Sequence, residues 1–143
     1  MNGTAGNDTL IVGANLVTLT GGAGSDTFDI SSARSNSNSY ATITDLQAGD
    51  KIKTEAAIAN FAATAVSLAN TASFGDYVNA AVVAGGANGA AWFQFGGDTY
   101  LVHNVGNADT AFTNGTDIIV KIAGSVNLST AALNTDSNWL VIG

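Results

Sequence analysis

A nine-residue period at the start of the chain restricts its fold more than any other feature. Residues 3–29 divide without insertion into GTAGNDTLI, VGANLVTLT and GGAGSDTFD. A fixed short period belongs to architectures that stack one structural unit on the next. The eighth position of each unit is large and apolar, at Leu10, Leu19 and Phe28, while the first and third units place Gly6 and Gly24 fourth and Asp8 and Asp26 sixth. Such a unit reads as a six-residue loop followed by a very short strand. Two units make one coil of a right-handed parallel roll, so the first and third loops stack on the same side. Glycine permits the positive φ that turns loop carbonyls inward, and the sixth-position carboxylate adds anionic oxygen. With no Cys or His nearby, that oxygen set suits calcium better than zinc. The plainer reading of the same residues is a pair of Gly-Asp turns in an ordinary sandwich. The middle unit keeps only Gly13 and Leu19 of the pattern and is not expected to hold metal.

GGAGSDTFD and GTAGNDTLI resemble the nonapeptide G-G-x-G-x-D-x-U-x of RTX (repeats-in-toxin) proteins, in which U is large and apolar; the first copy departs at Thr4. The resemblance implies calcium between the loops Gly3–Asp8 and Gly21–Asp26. Its ligands would be backbone carbonyls from Gly3, Ala5, Gly6, Gly21, Gly22, Ala23 and Gly24 with the carboxylates of Asp8 and Asp26.

Beyond Phe28 the stretch SSARSNSNS has too little apolar content to pack and is expected to be an exposed loop. YATITDLQAGDKI then alternates through Tyr40, Thr42 and Ile43 before a Gly49-Asp50 turn, which reads as a strand closing the roll. ITDLQAGDKI is similar to the I-T-D-F-x-x-G-x-D-x-I element that follows the last repeats of RTX proteases and lipases, with one residue fewer before the second Asp. That likeness implies a second calcium at Asp45 and Asp50; the alternative is a turn whose carboxylates cap neighbouring amides.

Residues 54–84 are Ala-rich, with large apolar residues mostly three or four apart, which favours helix. Thr71 or Ser73 offers an N-cap and Gly85-Gly86 a stop, predicting a helix at about 73–84, with another around 55–60. From Ala90 the strand signals return. AAWFQF and TYLVHNV flank Gly96-Gly97-Asp98 as a hairpin, DIIVKIAG reads as a strand covered on both faces, and NWLVIG ends the chain. Trp92, Phe93, Phe95 and Trp139 are the expected aromatic core. This second half is similar to the C-terminal regions of type I-secreted RTX proteins, among them serralysin-type proteases and S-layer proteins. The likeness implies a cap on the roll and a C-terminal export signal.

The expected fold is therefore mainly β: a short calcium-binding β-roll with its closing strand over residues 1–52, continuing into a helix-plus-β capping and secretion-signal region over 53–143. At 143 residues the chain suits one compact domain or a small module of a larger protein. Met1 directly ahead of a repeat already in phase is what a fragment would show. With a net charge of −7 and only Arg34, Lys51, Lys53 and Lys121 as cations, there is no basic footprint for nucleic acid. Cysteine is absent, which removes disulfides and thiol chemistry. No cleavable N-terminal signal and no apolar run of about 18 residues is visible.

Catalytic patterns are missing too. His103 is the only histidine, in neither an H-E-x-x-H nor a triad setting, and reads as a packed or edge-strand residue. Asp98, Asp109 and Asp117 fall at strand turns and read as structural. The expected function is a noncatalytic calcium-binding C-terminal module of a secreted, extracellular cell-surface protein, S-layer or adhesin-like. Its partners would be calcium, the type I secretion machinery and lattice neighbours or further copies. The alternatives are the noncatalytic tail of a secreted RTX hydrolase, such as a serralysin-type metalloprotease or lipase, and a self-associating scaffold with purely structural calcium.

Overall fold

The computed structural model describes residues 1–14, 16–33, 35–135 and 139–143. The nonapeptide register leaves room only for very short strands in the first part of the chain. These are β1 (Thr9–Ile11), β2 (Thr18–Leu19), β3 (Thr27–Asp29), β4 (Ala41–Ile43) and β5 (Lys51–Lys53). After β6 (Asn60–Phe61) comes the helix α1 (Phe74–Gly85), and then β7 (Gly89–Phe95), β8 (Asp98–His103), β9 (Ile118–Ile122), β10 (Ala132–Leu133) and β11 (Leu140–Val141).

The protein is mainly β, with two mixed sheets ordered β1-β3-β5-β11-β10 and β2-β4-β9-β8-β7-β6. From β1 to β5 the chain alternates between them, and each successive strand lies parallel to its predecessor in the same sheet. The register aligns the apolar positions: Leu10 opposes Phe28, Phe28 opposes Ile52, and Leu19 opposes Ile43. Leu19, Phe28, Ile43 and Ile52 have no exposed surface. β1 and β2 are edge strands, while β5 pairs with β11 and β4 with β9, so both sheets draw strands from either side of residues 52/53.

Period-two alternation explains how one sheet serves two cores. Ala90, Trp92, Leu101, Ile118, Val120 and Ile122 face the core shared with the five-stranded sheet. Ala91, Phe93, Tyr100, Val102 and Ile119 face the other way, onto Val78, Ala81 and Val82 of α1. Strand β9 is thus covered on both faces, as its sequence predicts. The hairpin forms where expected, with Gly96 (φ 60°) and Gly97 (φ 88°) supplying the two positive φ values of a tight two-residue turn.

The helix expected at about 73–84 matches α1 to within a residue. Ser73 is the N-cap: its Oγ accepts the Asp76 N–H (3.2 Å), and Asp76 Oδ2 accepts the Ser73 N–H (2.8 Å), while Gly86 is the C-cap. No helix forms at 55–60. Instead the Ala-rich segment runs along β7, where the N–H groups of Ala59, Ala62 and Val66 donate to the carbonyls of Asn88, Ala90 and Trp92. An unpaired sheet edge offered these amides partners outside a helix, and Ile58, with no exposed surface, anchors the segment in the core.

Two other expectations are corrected. The Ser/Asn-rich stretch is not wholly exposed: Ala33 and Ser35 are buried, Ser35 Oγ donates to Ile119 O (3.2 Å), and the Gly115 N–H donates to Ser35 O (2.9 Å). Small side chains let this segment lie flat, with polar groups meeting polar groups; Arg34 lies outside the described residues. Trp92 and Phe93 are core, but Phe95 and Trp139 are only half-buried. Trp139 instead lies with its ring centroid 5.4 Å from Lys53 Nζ. Asn15 in the middle unit and Asn138 at the start of the last strand segment also lie outside the described residues.

Candidate metal centre

Three polar segments, residues 2–8, 20–26 and 44–50, stack ahead of β1, β3 and β5. The first two run parallel, bridged at Asn2 with Thr20 and at Ala5 with Ala23. The Gly3 N–H donates to Thr20 O (2.8 Å) and the Gly6 N–H to Ala23 O (2.6 Å). The spacing between first and second segments is eighteen residues, and between second and third twenty-four. The longer second step accommodates the Ser/Asn-rich stretch.

Carboxylates carry the stacking. Asp26 Oδ1 accepts the Asp8 N–H at 2.9 Å, and one layer on Asp50 Oδ1 accepts the Asp26 N–H at 2.8 Å. Return bonds run through the backbone: the Thr27 N–H donates to Asp8 O and the Lys51 N–H to Asp26 O, both at 2.8 Å. The sixth-position aspartates thus form a ladder, each satisfying the backbone of the layer before it. Asp26 and Asp50 have no exposed surface, and Asp8, at the open end, is half-buried.

Within each loop the carboxylate turns back beneath the first glycine. Asp26 Oδ2 occupies the space a Cβ on Gly21 would fill, and Asp8 Oδ2 comes within 2.8 Å of that position on Gly3. Close approach also explains Gly24, whose φ is +129° and whose Cβ would stand 2.5 Å from Gly6 O. The carbonyl oxygens of Thr4 and Gly6 point at the second loop, against Gly22 and Gly24 respectively.

The two loops differ in the partners of their first amides. In the first, Asp8 Oδ2 accepts the Thr4 N–H (2.6 Å) and the Thr4 hydroxyl (3.1 Å). The counterpart amide in the second loop, Gly22 N–H, is drawn instead to Asp45 Oδ2 (2.8 Å), with Gly21 N–H on Asp45 Oδ1 (2.8 Å). Asp26 Oδ2 is left buried with no hydrogen-bond partner. An orphaned neutral polar group already costs about 1–3 kcal/mol, and a charged one more. A hard cation is the partner such an atom accepts best.

The fit to calcium is therefore one of oxygens: Asp26 Oδ2, the carbonyls that face between the loops, and Asp8 if it releases Thr4. Among the described residues, no three His, Cys, Asp or Glu side chains gather closely enough to hold a metal by themselves, so backbone oxygen has to supply most of any coordination shell. Asp45 and Asp50 do not join Asp8 and Asp26 around one point. Asp45 caps Gly21 and Gly22, and Asp50 takes the Asp26 N–H on Oδ1 and the Gln47 N–H on Oδ2 (2.9 Å). Burial pushes the Asp50 carboxyl above its ordinary value and the neighbouring charges of Asp26 and Asp45 add to this, against the lowering by the two amides.

The other titratable groups singled out in the sequence have structural surroundings. His103 has no exposed surface, its Nε2 lies 3.3 Å from Asn88 O, and burial holds its pKa below the ordinary value. Asp98 pairs with Lys121 at 2.8 Å and accepts the Gly124 N–H. Asp117 accepts the N–H groups of Val105 and Thr113. Sequence reasoning passed over two residues, Gln47 and Asn104. Gln47 donates from Nε2 to Gly22 O (2.9 Å) and Gly24 O (3.1 Å), and its place three before Asp50 was a usable signal. Asn104 is buried with both amide atoms unpartnered. No protein-family model matches the chain, and no curated protein matches it. Among the described residues no helix is long and apolar enough to cross a membrane.

Proposed function

We propose that this chain is a noncatalytic calcium-binding module whose first 50 residues form an RTX-type β-roll, ordered by a cation held between the loops Gly3–Asp8 and Gly21–Asp26. The observation that carries the reading is the orphaned, fully buried Oδ2 of Asp26, set in two glycine loops stacked eighteen residues apart. Thr4 O and Gly6 O face the second loop at Gly22 and Gly24, and the Asp8 carboxylate turns beneath Gly3. The aspartate ladder concentrates negative charge that ordering must overcome, and cation binding offsets both that repulsion and the entropy of fixing glycine loops.

In its wider setting the module belongs to an exported surface protein that leaves the cell by a type I route and folds where calcium is plentiful. The apolar second core, built on α1 and the long hairpin, holds without metal. Extracellular modules bind calcium at about 10⁻⁴–10⁻³ M. A tenfold excess over the dissociation constant then adds about 1.4 kcal/mol per site. Thermal melts of the purified chain in calcium and in chelator test this directly. The expected result is a higher melting temperature in calcium that disappears in Asp26→Ala and shrinks in Asp8→Ala; equal melting temperatures in wild type would defeat the reading.

A further inference from the structure

We infer that the side-chain amide of Gln47 takes, between the second loop and the third polar segment, the place that a cation takes between the first two loops, and that it thereby limits the chain to a single calcium. The inference rests on the calcium reading above and deepens it by setting the number of ions. In the eighteen-residue repeat, Gly22 and Gly24 are the counterparts of Thr4 and Gly6. Gly22 O and Gly24 O both accept from Gln47 Nε2, at 2.9 and 3.1 Å. One NH2 group thus bridges two carbonyls of alternate residues, presenting positive charge to their lone pairs as a bound cation would.

The rest of that interval is also complete. Both oxygens of Asp45 hold amides of the second loop, and both oxygens of Asp50 hold amides, one of them the Gln47 N–H. That last bond anchors Gln47 at the turn and aims its side chain back. One layer earlier, the residue three before Asp26 is Ala23, whose methyl group donates nothing to Thr4 O or Gly6 O. Between the first two loops Asn7 Oδ1 accepts the Ser25 N–H (2.8 Å), but among the described residues no side-chain amide donates to Thr4 O or Gly6 O, and Asp26 Oδ2 of the second loop is left without a partner. Gln47 is itself exposed, so a change there does not disturb the core.

The test is calcium titration calorimetry on the full chain, wild type against Gln47→Glu, with circular dichroism in chelator and in calcium. Gln47→Glu keeps the side-chain length, removes the donors and brings a carboxylate to Gly22 O and Gly24 O. The expected result is a single ion in wild type and a second ion in Gln47→Glu, whose melting temperature falls in chelator and recovers in calcium. Equal stoichiometry in the two proteins, or two ions in wild type, overturns the role of Gln47. No ion in wild type but one in Gln47→Glu sinks the loop reading while upholding Gln47. If Gln47→Glu does not fold, Gln47→Ala carries the test: its melting temperature in chelator is expected below that of wild type and restored by calcium, and an unchanged value overturns the inference.

Discussion

Strand β3 is three residues long, and the segment before it is tied to its neighbours by carboxylates accepting backbone amides. Strand β7 is seven residues long, and it is held to β8 by a continuous antiparallel ladder and by aromatic rings, with Phe93 stacked on Tyr100 at 5.3 Å. The two regions share sheets yet are stabilised by different physics. Around β7 the driving force is apolar burial, which is non-directional and needs no bound cation. At the stacked loops there is little apolar area to bury, and order depends on matching backbone donors to buried carboxylate oxygens, one of which has no partner. The first region should answer to volume changes and the second to charge and metal.

The largest expected effect tests the apolar side. Phe93→Ala should cost about 3–5 kcal/mol, read as a fall in denaturant midpoint of similar size with and without calcium. A calcium-dependent cost would erase the distinction between the regions. Next, Gly24→Ala forces a side chain into φ +129° and against Gly6 O. It should cost about 2 kcal/mol or more, and calorimetry should show calcium binding weakened with it.

The most discriminating change is Asp26→Asn, which keeps an oxygen for the Asp8 N–H and removes the charge. In chelator it should be no less stable than wild type, because a buried charge without a partner is removed. In calcium it should lack the increment of about 1.4 kcal/mol, and paired melts at saturating calcium read this difference. Ser73→Ala removes the helix cap and should cost about 1 kcal/mol regardless of calcium.

The smallest effect is one of pH. Burial alone would raise the Asp29 carboxyl, but bonds from Lys53 (2.7 Å) and Ser31 outweigh it and hold the group below the ordinary value of 3.8. A lowered folded value gives stability that is present above the unfolded value and lost as pH falls through the folded one. Asp50 has the opposite sign: its raised value favours the fold under acid, a contribution lost as pH rises through the folded value. Denaturant midpoints measured on either side of 3.8 should therefore show a smaller acid loss in Asp29→Asn than in wild type.

Several of these features are legible in the sequence. The eighteen-residue match of Gly6 and Asp8 with Gly24 and Asp26 gave the stacking of the two loops, because a one-residue slip would turn Leu10 and Phe28 to solvent. Ser73 and Gly86 bracketed α1, since caps are local chemistry. The Ala-rich run at 55–60 misled because spacing alone does not reveal a vacant sheet edge, and Trp139 misled because aromatic content does not say which residue falls just outside the end of a strand.

Periodicity and composition thus determined the mainly β character, the coil register and the residues able to present oxygen to a cation. All of these depend on neighbours close in sequence or on a fixed repeat. Only the tertiary structure decided that Asp45 draws the Gly22 amide away from Asp26 and that Gln47 spans two carbonyls of the loop above. Those partnerships join residues more than twenty apart, through a second step of twenty-four in place of eighteen. They depend on which donors the folded layers bring within 3 Å or so, which no repeat unit specifies by itself.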